Sequence, residues 1–170
     1  MQQSIAAILS VTEIFDNLTP TQLELVASIC DSATYNQGDV LLQENESTTE
    51  LYVIARGGVE ILMNPSLVGG DQEEYEPVVI TELRQGQVFG EVALVDEGIR
   101  SATARVSQDN TMLLKVPRNR LMQLCDAYPD LGYKVMKNVA ADLAFKIRNT
   151  DLTVRQYQIM LSQAKPDQPS

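Results

Sequence analysis

The sequence predicts an α+β chain built on an eight-stranded antiparallel β jelly-roll barrel, with helices before it and a long helix after it. Three observations carry that expectation. Between Ala33 and Pro117, short apolar runs alternate with turn residues at the interval expected of a sandwich or barrel. Ahead of them, Leu23, Val26, Ala27 and Cys30 recur at helical spacing, and behind them an apolar stripe of helical period runs through about Leu161. The chain then divides into a helical segment over 1–32, a barrel over 33–117, C-terminal helices over 118–163 and a disordered tail over 164–170, one domain overall.

Taken in order, Ile5, Ile8, Leu9 and Phe15 suit a short helix with Thr12 as a polar gap. Thr19-Pro20 has the order of a cap followed by a proline at the first helical position, so a second helix starts there. Tyr35 to Asp39 reads as a turn around Gly38. Strands follow at Val40 to Gln43, Leu51 to Ala55 and, after a Gly57-Gly58 turn, Val59 to Leu62. Further strands are expected at Val78 to Leu83, Gln87 to Phe89, Ser101 to Val106 and Met112 to Val116. Asn64 to Pro77, with two prolines, paired glycines and four acids, reads as a long, solvated hairpin loop. Leu121, Leu124 and Cys125 mark a short helix ending at Tyr128-Pro129. Leu131, Val135, Met136, Val139, Leu143, Ile147, Val154, Ile159 and Leu161 then mark the long one. Asn149-Thr150-Asp151 are poor helix formers, so a kink or two consecutive helices both fit this stretch.

Composition excludes several function classes. The 170 residues carry a net charge of −10, and the thirteen basic residues are scattered, so nucleic acid and anionic membranes are poor partners. There is no histidine, which removes the imidazole ligands of a metal-dependent barrel enzyme. Cys30 and Cys125 stand apart in apolar helical patterns and read as buried structural thiols. The start of the chain lacks the basic region and the apolar length of a signal or membrane span, so a reducing cytoplasm is expected. No acid/base pair, metal cluster or activated nucleophile supports catalysis, and a nucleotide hydrolase or synthase remains only as a rival class.

The chemistry concentrates in one stretch. Phe89-Gly90-Glu91-Val92-Ala93-Leu94 is followed after five residues by Arg100-Ser101-Ala102-Thr103. Gly90 permits close backbone approach to a ligand, and the small Ala93, Ser101 and Ala102 leave amides uncovered to face an anion. Arg100 brings a planar fork matched to phosphate oxygens, while Glu91, an acceptor, suits a sugar hydroxyl. Sugar and phosphate recognition are both present.

With those residues in place, the chain resembles the cyclic nucleotide-binding domain family of bacterial cAMP receptor proteins, kinase regulatory subunits and cyclic-nucleotide-gated channels. The spacing of the family's phosphate-binding cassette is followed without a gap over 89–104, with Ile99 in place of a proline. Gly38, Tyr52, Gly57 and Val59 also fall where that family places turn and core residues, whereas Glu44-Asn45-Glu46 replaces its glycine-containing turn. The resemblance implies a site of Phe89, Gly90, Glu91, Val92, Ala93, Arg100, Ser101 and Ala102. In it Glu91 takes the ribose 2′-hydroxyl, Arg100 takes the phosphate, and amides near Ala93 and Ser101 complete the cradle.

It further implies a stand-alone regulatory or sensor module for cAMP or cGMP, without metal or cofactor, whose helices rearrange on ligand binding and act on an unknown protein effector. The alternative is a degenerate cyclic nucleotide-binding fold serving as a protein-interaction scaffold. Phe145 and Tyr157 are candidates to cap the base, each also readable as a packing residue. Self-association into a homodimer through Met136, Val139, Leu143 and Val154 competes with docking of the same residues on the barrel.

Overall fold

The computed structural model describes residues 4–64, 76–96 and 98–163. The tail and most of the acidic hairpin loop lie outside them. Ser4 caps a short helix α1, Ile5–Leu9, by accepting from the Ala7 N–H, and the buried Thr12 ends that segment by donating its hydroxyl to the Ile8 carbonyl at 3.0 Å. A 3₁₀ turn follows at Glu13–Phe15. Helix α2, Pro20–Ala27, starts as expected from Thr19-Pro20. Its capping box is complete, with Gln22 and Thr19 exchanging backbone and side-chain hydrogen bonds.

The strands are β1 (Asp31–Tyr35), β2 (Val40–Leu42), β3 (Leu51–Arg56), β4 (Gly58–Met63), β5 (Val78–Arg84), β6 (Val88–Phe89), β7 (Thr103–Val106) and β8 (Thr111–Val116). They pair antiparallel into two four-stranded sheets, ordered β1-β8-β3-β6 and β2-β7-β4-β5. Among the described residues no ladder joins one sheet to the other, so the closed barrel expected from strand spacing is corrected to two facing sheets. The spacing sets the number of turns. It does not show which edges meet. The stretch Asp31–Tyr35, expected as helix end and turn, is also a strand; it pairs with β8 in register from Asp31↔Lys115 to Tyr35↔Thr111. Its residues are mostly exposed, which erased the apolar signal on which the strand reading depended.

Side-chain alternation explains how the layers stack. On β3, Leu51, Val53 and Ala55 join a core with Phe15, Val26, Leu121, Leu131 and Val135, whereas Tyr52 and Ile54 face the other sheet with Val59, Leu83, Ala104 and Leu113. One sheet is therefore covered on both faces: helices on one side, its partner sheet on the other. The two cysteines belong to the helical core, and burial, aided by Asp31, pushes the Cys30 thiol up to about 12; burial raises Cys125 as well. Both thiols are inert packing groups.

Helix α4 spans Arg118–Ala127, and α5 runs unbroken over Pro129–Gln163, thirty-five residues and about 50 Å at 1.5 Å each. The stretch Asn149-Thr150-Asp151 does not break it. Thr150 and Thr153 donate their hydroxyls to the carbonyls of Lys146 and Asn149, one turn back, and so stay within the helix. Leu131, Val135 and Val139 are buried against the helical core, with Met136 and Leu143 packed beside them, and Asn138 ties α5 to the 3₁₀ turn through the Ile14 and Asp16 carbonyls. Of the four residues named for self-association, only Val154 remains exposed. Phe145 and Tyr157 are exposed too, so neither is a packing residue.

Candidate functional site

The stretch 89–103 begins at β6 and ends at β7, so both ends are fixed in sheets and the residues between them form the mouth of the site. Phe89 is its inner anchor: its ring lies nearly parallel to Tyr52, centroids 5.1 Å apart, within the inter-sheet core. Its side chain thus serves packing. Gly90 turns the chain at φ 81°, and a short helix α3, Val92–Val95, follows with Ala93 and Leu94 buried and Val92 exposed. The N–H of Ala93 donates to the Gly90 carbonyl at 3.2 Å, so this amide reaches an anion only by leaving that bond. Ser101 is exposed and Ala102 half-buried, just before β7.

Arg100 is buried, 7% exposed, and organises the whole mouth. Its Nε donates to the Thr48 hydroxyl at 2.8 Å, Nη1 to the Gly90 carbonyl at 3.2 Å and Nη2 to the Glu50 carbonyl at 2.7 Å. Its backbone is held as well, by Asn45 N–H on its carbonyl and by its own N–H on the Glu46 carbonyl, both 2.9 Å. The β2–β3 connection is therefore stapled to the cassette mainly through Arg100, with the Glu44 N–H on the Thr103 hydroxyl as a further link. Burial lowers the Arg100 pKa from its ordinary value, while nearby Glu50, Tyr52 and Glu91 pull it back up; a guanidinium stays cationic in either case. Among the described residues three of its five N–H groups are engaged, which leaves one on each Nη for an anion.

The Glu44-Asn45-Glu46 departure acquires a physical meaning here. Asn45 adopts φ 71°, the left-handed conformation for which glycine is the usual choice and asparagine the best-tolerated substitute. A left-handed residue is thus accommodated in this turn without a glycine. Ile99, in the place of the family's proline, is 65% exposed and constrains nothing in the core.

Glu91 is 5% exposed, and its partner was not legible in the sequence. The ammonium of Lys146, from α5, lies 2.8 Å from Glu91 Oε1, 2.9 Å from Asp142 Oδ2 and 3.4 Å from the Val88 carbonyl. Burial alone would lower the Lys146 pKa, but the charge and hydrogen bond of Glu91, with those of Asp142, outweigh it and raise the pKa above its ordinary value. Thr48, Glu50, Asp142 and Lys146 were all absent from the sequence-derived site. Only the i,i+4 spacing of Asp142 and Lys146 hinted at a pair, and such pairs are common on exposed helices. Among the described residues no group of three acids or cysteines is placed to hold a metal, and no helix is long and apolar enough to cross a membrane.

A buried cation and a buried carboxylate thus stand near one glycine turn, and the comparisons with known proteins concern the chain that carries them. The family model of the cyclic nucleotide-binding domain matches residues 33–128. The cyclic AMP receptor protein of Thermus thermophilus is 32% identical over 139 residues, 82% of this chain and 59% of that protein. Human cGMP-dependent protein kinase 2 is 26% identical over 130 residues, 76% of this chain and 16% of the kinase. The crystal structure of the Thermus thermophilus catabolite activator protein superposes with a TM-score of 0.70 at 28% identity, over 86% of this chain and 63% of that one. The chain thus spans less than two thirds of each of these relatives. Fold, cassette and family model agree: the chain belongs to the cyclic nucleotide-binding domain family.

Proposed function

We propose that this chain is a regulatory module that binds one cyclic nucleotide, cAMP or cGMP, at the Gly90–Arg100 mouth, and that it is not an enzyme. One observation carries the reading. Arg100 is buried and pinned on three acceptors, with two N–H groups uncommitted among the described residues, beside a buried carboxylate one residue past the glycine turn. A monoanionic cyclic phosphate supplies two acceptor oxygens for those N–H groups, and the attached ribose supplies a hydroxyl donor for Glu91. In a chain of net charge −10, local donors must hold the anion against the global field, so loosely held anions are rejected.

Val92 and Ser101 are exposed at the mouth and are assigned to the ligand's rim; Phe89 acts through its fixed backbone. Ligand binding biases the helices by its difference in affinity for their arrangements, in a cytoplasmic setting. Titration calorimetry with both nucleotides tests the reading. Saturable one-to-one heat supports it, silence with both leaves a scaffold, and continuing turnover indicates an enzyme. Glu91→Ala weakens the preferred nucleotide by about 1–3 kcal/mol, because a sugar hydroxyl loses its acceptor in a shielded site; a tighter complex contradicts the role of Glu91.

The exposed end of α5 supports self-association on a revised set of residues. Ile147, Val154 and Leu161 are seven apart and exposed, with Tyr157 between them, while Val139 is already buried in its own core. Apolar residues repeated every seven positions form a stripe along which two such helices can pack. Sedimentation is expected at twice the monomer mass, with Val154→Asp shifting it to the monomer.

A further inference from the structure

We propose that Lys146 is a positioning residue for ribose recognition, so that α5 carries part of the nucleotide site in the ligand-bound protein. This rests on the reading of Glu91 as the ribose acceptor.

The geometry is specific. Glu91 is buried, and among the described residues its ion pair is with Lys146, at 2.8 Å from Oε1. Lys146 is in turn steadied from its own helix by Asp142, one turn back, whose side chain is 10% exposed. The cleft around the lysine is lined by Glu13, Leu83, Gly86, Gln87 and Val88, and the ammonium also reaches the Val88 carbonyl, just ahead of the cassette. The lysine is thus wedged between the 3₁₀ turn, the β5–β6 connection and the cassette.

An arriving ribose could either displace this lysine or share the carboxylate with it. A 2′-hydroxyl is neutral. It can donate one hydrogen bond to Glu91, but it cannot replace a counter-charge, and stripping the half-exposed ammonium from a buried carboxylate costs more than one neutral donor returns. The lysine therefore stays. A carboxylate has acceptor sites on both oxygens, so the ammonium on Oε1 and a sugar hydroxyl can be bound together. With Lys146 in place, Glu91 is held as an aimed anion and α5 is tied to the ribose end of the mouth. Without it, Glu91 and Asp142 face each other as two shielded like charges, and Glu91 loses the contact that sets its rotamer.

The consequence is a specificity readout that a purely structural lysine would leave alone. Titration calorimetry on the full chain measures cAMP, cGMP and their 2′-deoxy counterparts. In the wild-type protein, loss of the hydroxyl weakens the preferred nucleotide by about thirtyfold. In Lys146→Met that gap narrows to less than about threefold, and Lys146→Arg, which keeps the charge and the donors, restores most of it. Thermal unfolding checks that each variant is folded. Should Lys146→Met fail to fold, Lys146→Met combined with Asp142→Asn removes the second carboxylate and is read in the same way. A folded variant that keeps the wild-type gap overturns the role of Lys146 and leaves the site reading standing. Wild-type protein that gives no heat with either nucleotide overturns both.

Discussion

Replacing Arg100 with alanine is expected to weaken cyclic nucleotide binding by about 2–5 kcal/mol, the range for removing one partner of a desolvated charge pair. The ligand loses its countercharge, but the effect extends further. Thr48, Gly90 and Glu50 each lose a donor, and the connection between β2 and β3 loses its side-chain link to the cassette. Among the described residues the two backbone bonds at Asn45 and Glu46 remain, with the Glu44 N–H on the Thr103 hydroxyl. Arg100→Lys keeps the charge but not the fork; a single ammonium cannot hold three acceptors set in a plane and present two more donors outward. It is expected to recover little. Calorimetry on folded variants is the measurement, and affinity equal to wild type in Arg100→Ala would reject the assigned site.

The second large effect is expected at Gly90, and it arises from backbone rather than charge. Its φ of 81° lies where an L-residue is strained, and a Cβ there would sit 2.7 Å from the Glu50 carbonyl oxygen and 2.9 Å from Arg100 Nη1. Both neighbours are fixed: one is backbone, the other a buried guanidinium bonded on three sides. Gly90→Ala must therefore open the turn or push Arg100 off its acceptors. The expected loss is about 1–3 kcal/mol of stability from the strained conformation, together with at least about tenfold in nucleotide affinity. Urea unfolding and calorimetry on the same sample separate the two losses. A variant with unaltered midpoint and affinity would show that the turn relaxes freely and that Arg100 does not depend on it.

Much of the fold was legible because it rests on local patterns. The start of α2 follows from Thr19-Pro20, since cap chemistry involves residues three positions apart. β3 is legible because its alternation is apolar on both faces, each meeting a different layer. β1 was hidden because its side chains are exposed and its partner lies some eighty residues away in the chain. The long α5 was expected from its apolar stripe, and the structure settles the continuity that Asn149 to Asp151 had left open: the threonine hydroxyls are satisfied one turn back.

The site divides in the same way. Gly90, Glu91 and Arg100 could be singled out in the sequence because turn, acid and cation lie within eleven consecutive positions, and their types suit the proposed anion and sugar. What surrounds them could not be. Thr48 and Glu50 meet Arg100 from about fifty residues away, and Lys146 meets Glu91 across fifty-five. Such encounters are fixed by which sheet edges and helix faces pack together, and those packing choices are made by burial summed over the whole chain. The sequence by itself determined which residue types stand at the proposed mouth. Tertiary structure alone decided that Arg100 is pinned by a neighbouring loop, that Phe89 belongs to the core, and that a lysine from the last helix stands at the acid.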